Sequence, residues 1–265
     1  ASIGPAGEHM SMFSTILSDE SSATGMGSFG AVMGSKNLKA ISIQGTGSVK
    51  VADPQGLLDL VEYTQNLCCR KLYETTPEAP ANSYVGSWQA SLPLTDTDLY
   101  KEARDPEGKL EIAYTGCYSC PWGGCGYGVR FKDGSGMSLG QLRCTEAIPV
   151  SAESAACGEY VGRAHMKRLT LNERLGLSDC NTWFQGLDPI FQAGNILTEE
   201  NTGIDWTNFG TEDFTRELMY SVAYQSTEVG AAIAKGWRYF LEEYIGTPEA
   251  KYFYRAIRGI RNSPK

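Results

Sequence analysis

The chain has 265 residues, 42% of them hydrophobic, with 30 glycines and a formal net charge of -8, which suits one large domain or two modest ones around a sizeable core. No run approaches the roughly 18 apolar residues of a membrane span, ASIGPAGEHM lacks the basic start and apolar centre of a secretory leader, and no long basic run points to nucleic acid or an anionic membrane. Eight cysteines in a chain of this size read as reduced, cytoplasmic thiols, since such a chain needs no disulfide staples.

The opening IGPAGE puts a glycine–proline turn at the very start, as if in mid-domain, so the chain is expected to be a piece of something longer. Up to residue 45 the sequence is rich in glycine and serine, turning apolar at LKAISIQG. Leu38–Gln44 alternates as a strand does, with Val49–Val51 pairing to it across the turn Gly45–Ser48. Asp53 as N-cap and Pro54 at the first helical position then open a helix that carries Leu57, Leu58, Leu60 and Val61 and runs to about Cys69. Residues 75–110 hold four prolines and several aspartates and read as loop. Beyond the cysteine-rich stretch the pattern turns helical from Gly158, through EYVGRAHMKRLTLNERLGL to a glycine. An apolar stripe over Asn181–Ala193 is stopped by Gly-Asn, and two further helices are predicted over Thr211–Tyr224 and Val229–Ile245, the last with a glycine stop. The fold class is therefore mostly α with a small N-terminal β portion, an α+β chain without internal repeats.

Two stretches carry chemistry. In GCYSCPWGGCG (Gly116–Gly126), Cys117 and Cys120 stand one turn apart, and Cys125 follows a Pro-Trp-Gly-Gly turn that lets the backbone fold round a bulky group. Zinc wants a fourth ligand, usually from a second paired knuckle; no second Cys-x2-Cys exists, and the two histidines, His9 and His165, stand apart. Three close cysteines with a proline after the second fit an iron–sulfur cluster best, with zinc and structural thiols or a disulfide as the alternatives. The second stretch, GMGSFGAVMGSKNLKA (Gly25–Ala40), contains Gly25-x-Gly27-x-x-Gly30 but leads into a predicted strand, so a dinucleotide fingerprint fails on context. It reads either as a tight buried glycine turn or as a backbone cradle for a phosphate-bearing cofactor, formed by Gly25, Gly27 and Ser28 with Lys36 adding positive potential.

In this order, IGPAGE, GSFGAVMGSKNLKAI, CYSCPWGGC, NERLGL and ILTEENTGID, followed by VGAAIAKGWRYFLEEYIG, resemble the tungsten-containing aldehyde ferredoxin oxidoreductases through nearly the whole chain. Members of that family are far longer, with a β-rich N-terminal domain that carries a bis-pyranopterin tungsten cofactor and two mostly helical domains over it. The resemblance implies that residues 1–52 are the tail of the cofactor domain and residues 53–265 the helical second domain with the cysteine motif. It implies a tungsten (or molybdenum) bis-pyranopterin with Mg2+ on the pterin phosphates, and a [4Fe-4S] cluster. The partners are then ferredoxin or another electron-transfer subunit, the substrate an aldehyde or acyl-CoA, and the assembly oligomeric.

By motif, the cluster would be held by Cys117, Cys120 and Cys125. The family spacing is Cys-x2-Cys-x3-Cys, whereas here the second gap has four residues; the fourth ligand lies in the absent third domain, with Cys180 as the one substitute nearby. The pterin-binding motif Asp-x-x-Gly-Leu-Asp falls on Glu173-Arg174-Leu175-Gly176-Leu177-Ser178: Glu173 keeps a carboxylate able to accept from a pterin N–H, and Ser178 replaces the second aspartate. The bland reading of Glu173 is a solvated helix end. Where the family has Gly-Arg-Gly, this chain has Gly25-Met26-Gly27, without the anchoring arginine. The family's catalytic Glu-Tyr-Glu segment maps by counting back from Gly176 onto Glu146, and by its flanking proline and Ala-Ala-x-Gly onto PVSAESAACG and Glu153. The implied activity is oxidation of aldehydes to carboxylic acids with ferredoxin as acceptor. A benzoyl-CoA reductase-type tungsten subunit and an iron–sulfur electron-transfer or assembly subunit without pterin are the alternatives.

Overall fold

The computed structural model describes residues 1–18, 22–24, 27–66, 105–115, 126–134, 138–143 and 163–260. The chain divides into two compact units, one formed by Ala1–Ile41, Ala152–Tyr160 and Lys167–Lys265, the other by Ser42–Ser151 and Val161–Met166. The described residues are mostly helical with small antiparallel sheets, an α+β arrangement.

The first unit opens on a sheet of β1 (Ser2–Ile3), β2 (Ile16–Ser18) and β3 (Ser22–Ala23), antiparallel in that order. Two short helices, α1 (Pro5–Glu8) and α2 (Phe29–Gly34), meet at glycines. A Cβ on Gly34 would stand 1.9 Å from the Gly7 carbonyl oxygen, and one on Gly7 3.1 Å from that of Gly30, so no side chain fits between the backbones. α2 stops in a left-handed turn at Asn37 (φ 54), where Asn37 N–H donates to the Gly34 carbonyl and Leu38 N–H to that of Met33. Asparagine tolerates this conformation better than most residues.

The predicted hairpin Leu38–Gln44/Val49–Val51 is not formed. Residues 39–41 lie beside β1, with a bridge between Ser2 and Ala40 and bonds from Ile3 N to Lys39 O (3.0 Å) and Ile41 N to Ala1 O (2.8 Å). Past Ile41 the apolar residues have nothing to bury against: Ile43 is 88% exposed and Val49 85%. A two-stranded hairpin without a covered face is marginal in water.

The rest of the unit is helical. α4 (Arg163–Leu175) is followed by a π-helical stretch, Cys180–Leu187, that runs into α5 (Asp188–Gln192), much as the Asn181–Ala193 stripe predicts. After α6 (Glu199–Thr202) comes α7 (Glu212–Tyr224). The predicted helix Val229–Ile245 is instead two pieces, α8 (Glu228–Ala234) and α9 (Trp237–Tyr239), the latter continuing as the π-helical Phe240–Ile245. The break is Gly236, whose φ of 96 no helix accommodates. α10 (Pro248–Ile260) closes the unit and was not foreseen from the pattern. Thr198, Thr211 and Thr227 cap α6, α7 and α8 through their side chains, worth about 1 kcal/mol each. The ILTEENTGID motif is largely this punctuation: a Thr198–Asn201 capping box and a left-handed stop at Gly203. Trp183, Leu187, Met219, Val222, Ile233 and Phe240 form the fully buried centre.

In the second unit, α3 (Pro54–Gln65) starts as predicted, with the Asp53 carboxylate accepting from Gly56 N–H at 3.0 Å; the predicted end at Cys69 lies outside the described residues. β4 (Leu110–Thr115), β5 (Gly126–Phe131) and β6 (Ser138–Arg143) form an antiparallel meander that the sequence reading lacks. Glycines at 126, 128 and 140 blur its alternation.

Candidate functional site

The turn that ends α4 is a Schellman motif: Gly176 (φ 72) donates to the Glu173 carbonyl at 2.9 Å and Leu177 to that of Asn172 at 2.8 Å. Gly176 also meets the backbone of Gly4, since a Cβ there would stand 2.6 Å from Gly4 N. The residues after the turn run antiparallel to Phe13–Thr15. Thr15 N–H donates to Gly176 O and Ser178 N–H to Phe13 O, both at 2.9 Å, around a bridge between Ser14 and Leu177. The other side of this strap receives the glycine loop. Ser28 Oγ donates to the Met12 carbonyl, and a Cβ on Gly30 would stand 2.8 Å from the Thr15 carbonyl oxygen. Two motifs far apart in sequence, the glycine loop and NERLGL, thus converge on Met12–Thr15, and IGPAGE packs against both of them, Gly4 on Gly176 and Gly7 on Gly30.

Of the predicted site residues, the structure brings Gly27, Ser28, Glu173 and Ser178 into this one packed region. Gly27 is exposed, Ser28 is half-buried in a left-handed conformation (φ 54), Glu173 is half-buried and Ser178 is buried. Lys36 is exposed and lies beyond the far end of α2, about 9 Å of helix away from Ser28. Gly25, Glu146, Glu153, Cys117, Cys120 and Cys125 lie outside the described residues. The strands that flank the cysteines are described: the β4–β5 register ends on the pair Thr115 and Gly126, so residues 116–125 connect two positions one strand spacing apart. Cys180 opens the π-helical stretch.

Sequence reasoning missed a buried ionic network beside the turn. Asp179 accepts from Arg168 Nε and Nη2 at 3.0 Å each, and from Asn172 Nδ2 at 2.6 Å. Arg168, Asn172 and Asp179 are 2%, 1% and 4% exposed. The guanidinium lies 5.2 Å from the Trp183 ring centroid, a cation–π contact. The signal that could have found it is an arginine and an asparagine four apart on the apolar side of α4, followed by an aspartate just past the glycine stop. Asp188 is also buried; its Oδ1 and Asn172 Oδ1 have no hydrogen-bond partner among the described residues.

Burial pushes the Asp188 carboxyl up to about 6; Arg168 opposes the rise and Asp179 adds to it. A raised folded-state value means that Asp188 favours the fold fully below its ordinary value of 3.8, and that this contribution disappears as pH climbs through about 6. At ~1.4 kcal/mol per pH unit the difference is about 3 kcal/mol. Asp188→Asn should therefore gain stability on the wild type between pH 4.5 and 7.5, by about 2 kcal/mol, the part of that difference lying above pH 4.5, as read from urea midpoints at the two pH values. An offset equal at both would show that Asp188 does not titrate with folding.

Residues 1–45 match the family model described as aldehyde ferredoxin oxidoreductase, N-terminal domain. The chain is 50% identical, over 94% of its length, to the tungsten-containing aldehyde ferredoxin oxidoreductase of Pyrococcus furiosus, and 33% identical over the same share to that of Thermococcus kodakarensis. It spans 42% of the length of each of these relatives. A third relative, the WOR-like subunit of an aliphatic sulfonate oxidoreductase of Pyrococcus furiosus, is 25% identical over 88% of the chain and 38% of the relative. With the motif order, the convergence on one strap and these similarities in place, the chain belongs to the aldehyde ferredoxin oxidoreductase family.

Proposed function

We propose that this chain forms part of a tungsten–pterin oxidoreductase that oxidises aldehydes to carboxylic acids and passes the electrons through a [4Fe-4S] cluster to ferredoxin. The observation that carries the reading is the convergence of Gly27–Ser28 and Glu173–Ser178 on the strap Met12–Thr15, because a cofactor edge needs both motifs at once. The residues also fit such a group chemically. Near the end of α4 the Glu173 carboxylate is half-buried, and the buried Oδ1 atoms of Asn172 and Asp188 lack partners among the described residues. Buried acceptors in this state call for a donor, and a pterin ring offers N–H groups.

On this reading, residues 1–52 belong to the cofactor domain and residues 53–265 to the second domain. Glu173 accepts from the pterin, the buried Ser178 backbone fixes the turn, and the Gly27–Ser28 backbone lies against the phosphate-bearing end. Cys117, Cys120 and Cys125 hold the cluster, and Glu146 or Glu153 serves as the proton-handling carboxylate. When bound, the tungsten–pterin supplies the two-electron redox step; the chain binds, orients and excludes water.

Metal analysis of the anaerobically purified full-length protein tests this: tungsten together with iron is expected. Iron alone would replace the reading with that of an electron carrier. Within it, Glu173→Ala should lose tungsten while iron holds, and Glu173→Gln should fall between, since a charge-assisted bond of about 1.5–3 kcal/mol corresponds to roughly ten- to hundredfold in affinity. Full tungsten and turnover in Glu173→Ala would reduce that residue to a solvated helix end.

A further inference from the structure

We propose that Arg168, Asn172 and Asp179 are positioning residues that fix the spacing between Glu173 and Ser178, an inference that rests on reading those two as the pterin-binding edge. Each of the pair has one of these residues as its immediate neighbour: Asn172 precedes Glu173, and Asp179 follows Ser178. Asn172 is used twice. Its carbonyl accepts Leu177 N–H to close the Schellman turn, and its side-chain amide donates to Asp179. Arg168, one helical turn earlier, grips both oxygens of the same carboxylate.

The loop that leaves α4 at Gly176 is therefore tied back to α4 three residues later by three charge-assisted bonds. Between those ties the chain can neither slide nor unwind without stranding a buried charge. Fold stability does not require such a device, because buried ion pairs are often matched by apolar residues of similar volume. What an apolar replacement lacks is direction: the planar guanidinium and carboxylate lock angle as well as distance. The packing of Arg168 over the Trp183 ring extends that lock into the core.

The test uses the full-length protein purified anaerobically, with tungsten and iron measured per folded protein. Asp179→Asn keeps shape but weakens the grip; the expected result is a fall in the tungsten-to-iron ratio of about tenfold in the range typical of residues that orient ligands, with iron unchanged. Arg168→Lys keeps the charge but loses the fork, and should show the same fall with less effect on folding. A double variant, Arg168→Met with Asp179→Leu, should recover the thermal midpoint yet not the tungsten. A role confined to stability would move the midpoint and leave the ratio intact. An unchanged ratio in Arg168→Lys or Asp179→Asn, with Glu173→Ala depleted, overturns the positioning role alone. A wild-type protein without tungsten overturns the cofactor reading, and a Glu173→Ala variant that keeps tungsten overturns Glu173 as part of the pterin edge; either takes the inference with it.

Discussion

Cys117→Ser and Cys120→Ser are each expected to abolish the proposed [4Fe-4S] cluster outright rather than weaken it. A serine hydroxyl is not deprotonated at neutral pH and is a poor partner for iron beside sulfide, so one lost thiolate in a compact motif removes the centre. The readouts are the broad absorbance near about 400 nm that bleaches on reduction and the reduced-state EPR signal, both of which should vanish. The β4–β5 ladder, which runs through six residue pairs up to Thr115 and Gly126, is backbone-bonded and independent of the thiols. Circular dichroism of either variant should therefore match the wild type. Stoichiometric zinc without iron after strictly anaerobic purification would overturn the cluster.

Gly176→Ala is expected to cost the fold heavily. Two effects add. An alanine at φ 72 is strained by about 1–2 kcal/mol. Its Cβ would also stand 2.6 Å from Gly4 N and 2.8 Å from Gly4 Cα, which are backbone atoms that cannot swing aside. Forcing extra volume into such a contact costs typically 1–3 kcal/mol, for a total of about 2–5 kcal/mol, a large share of the stability of an ordinary domain. The midpoint in urea measures it. Gly203→Ala is the control, with a φ of 70 and open space around its Cβ, and should show the strain alone. Equal losses in the two variants would mean that Gly4 moves away freely.

The helices were legible where caps and glycine stops punctuate the sequence. Asp53-Pro54, the stop after NERLGL and the start at Thr211 are local signals, and each held. What failed was set by tertiary surroundings. Leu38–Gln44 alternates convincingly, but no surface covers it, so the pattern had nothing to act on. β4–β6 are held by ladders between residues whose alternation is interrupted by glycine, and α10 follows a threonine cap and a proline start overlooked behind the glycine stop of Ile245. At the site, Glu173 and Ser178 could be found by motif. The network behind them left a fainter trace, because Arg168 and Asp179 are eleven positions apart in sequence and meet only once α4 and its turn are folded.

The strap Met12–Thr15 takes the Ser28 hydroxyl of the glycine loop on its Met12 carbonyl, and joins the LGL turn through amides and carbonyls, Thr15 N–H to the Gly176 carbonyl and Ser178 N–H to the Phe13 carbonyl. Every residue except proline offers those groups, so the scaffold is nearly blind to which side chains it carries there. Ser178 shows the effect, since its N–H bond to the Phe13 carbonyl owes nothing to its hydroxyl. Side chains in this region can therefore change one at a time while the backbone that presents them stays in place.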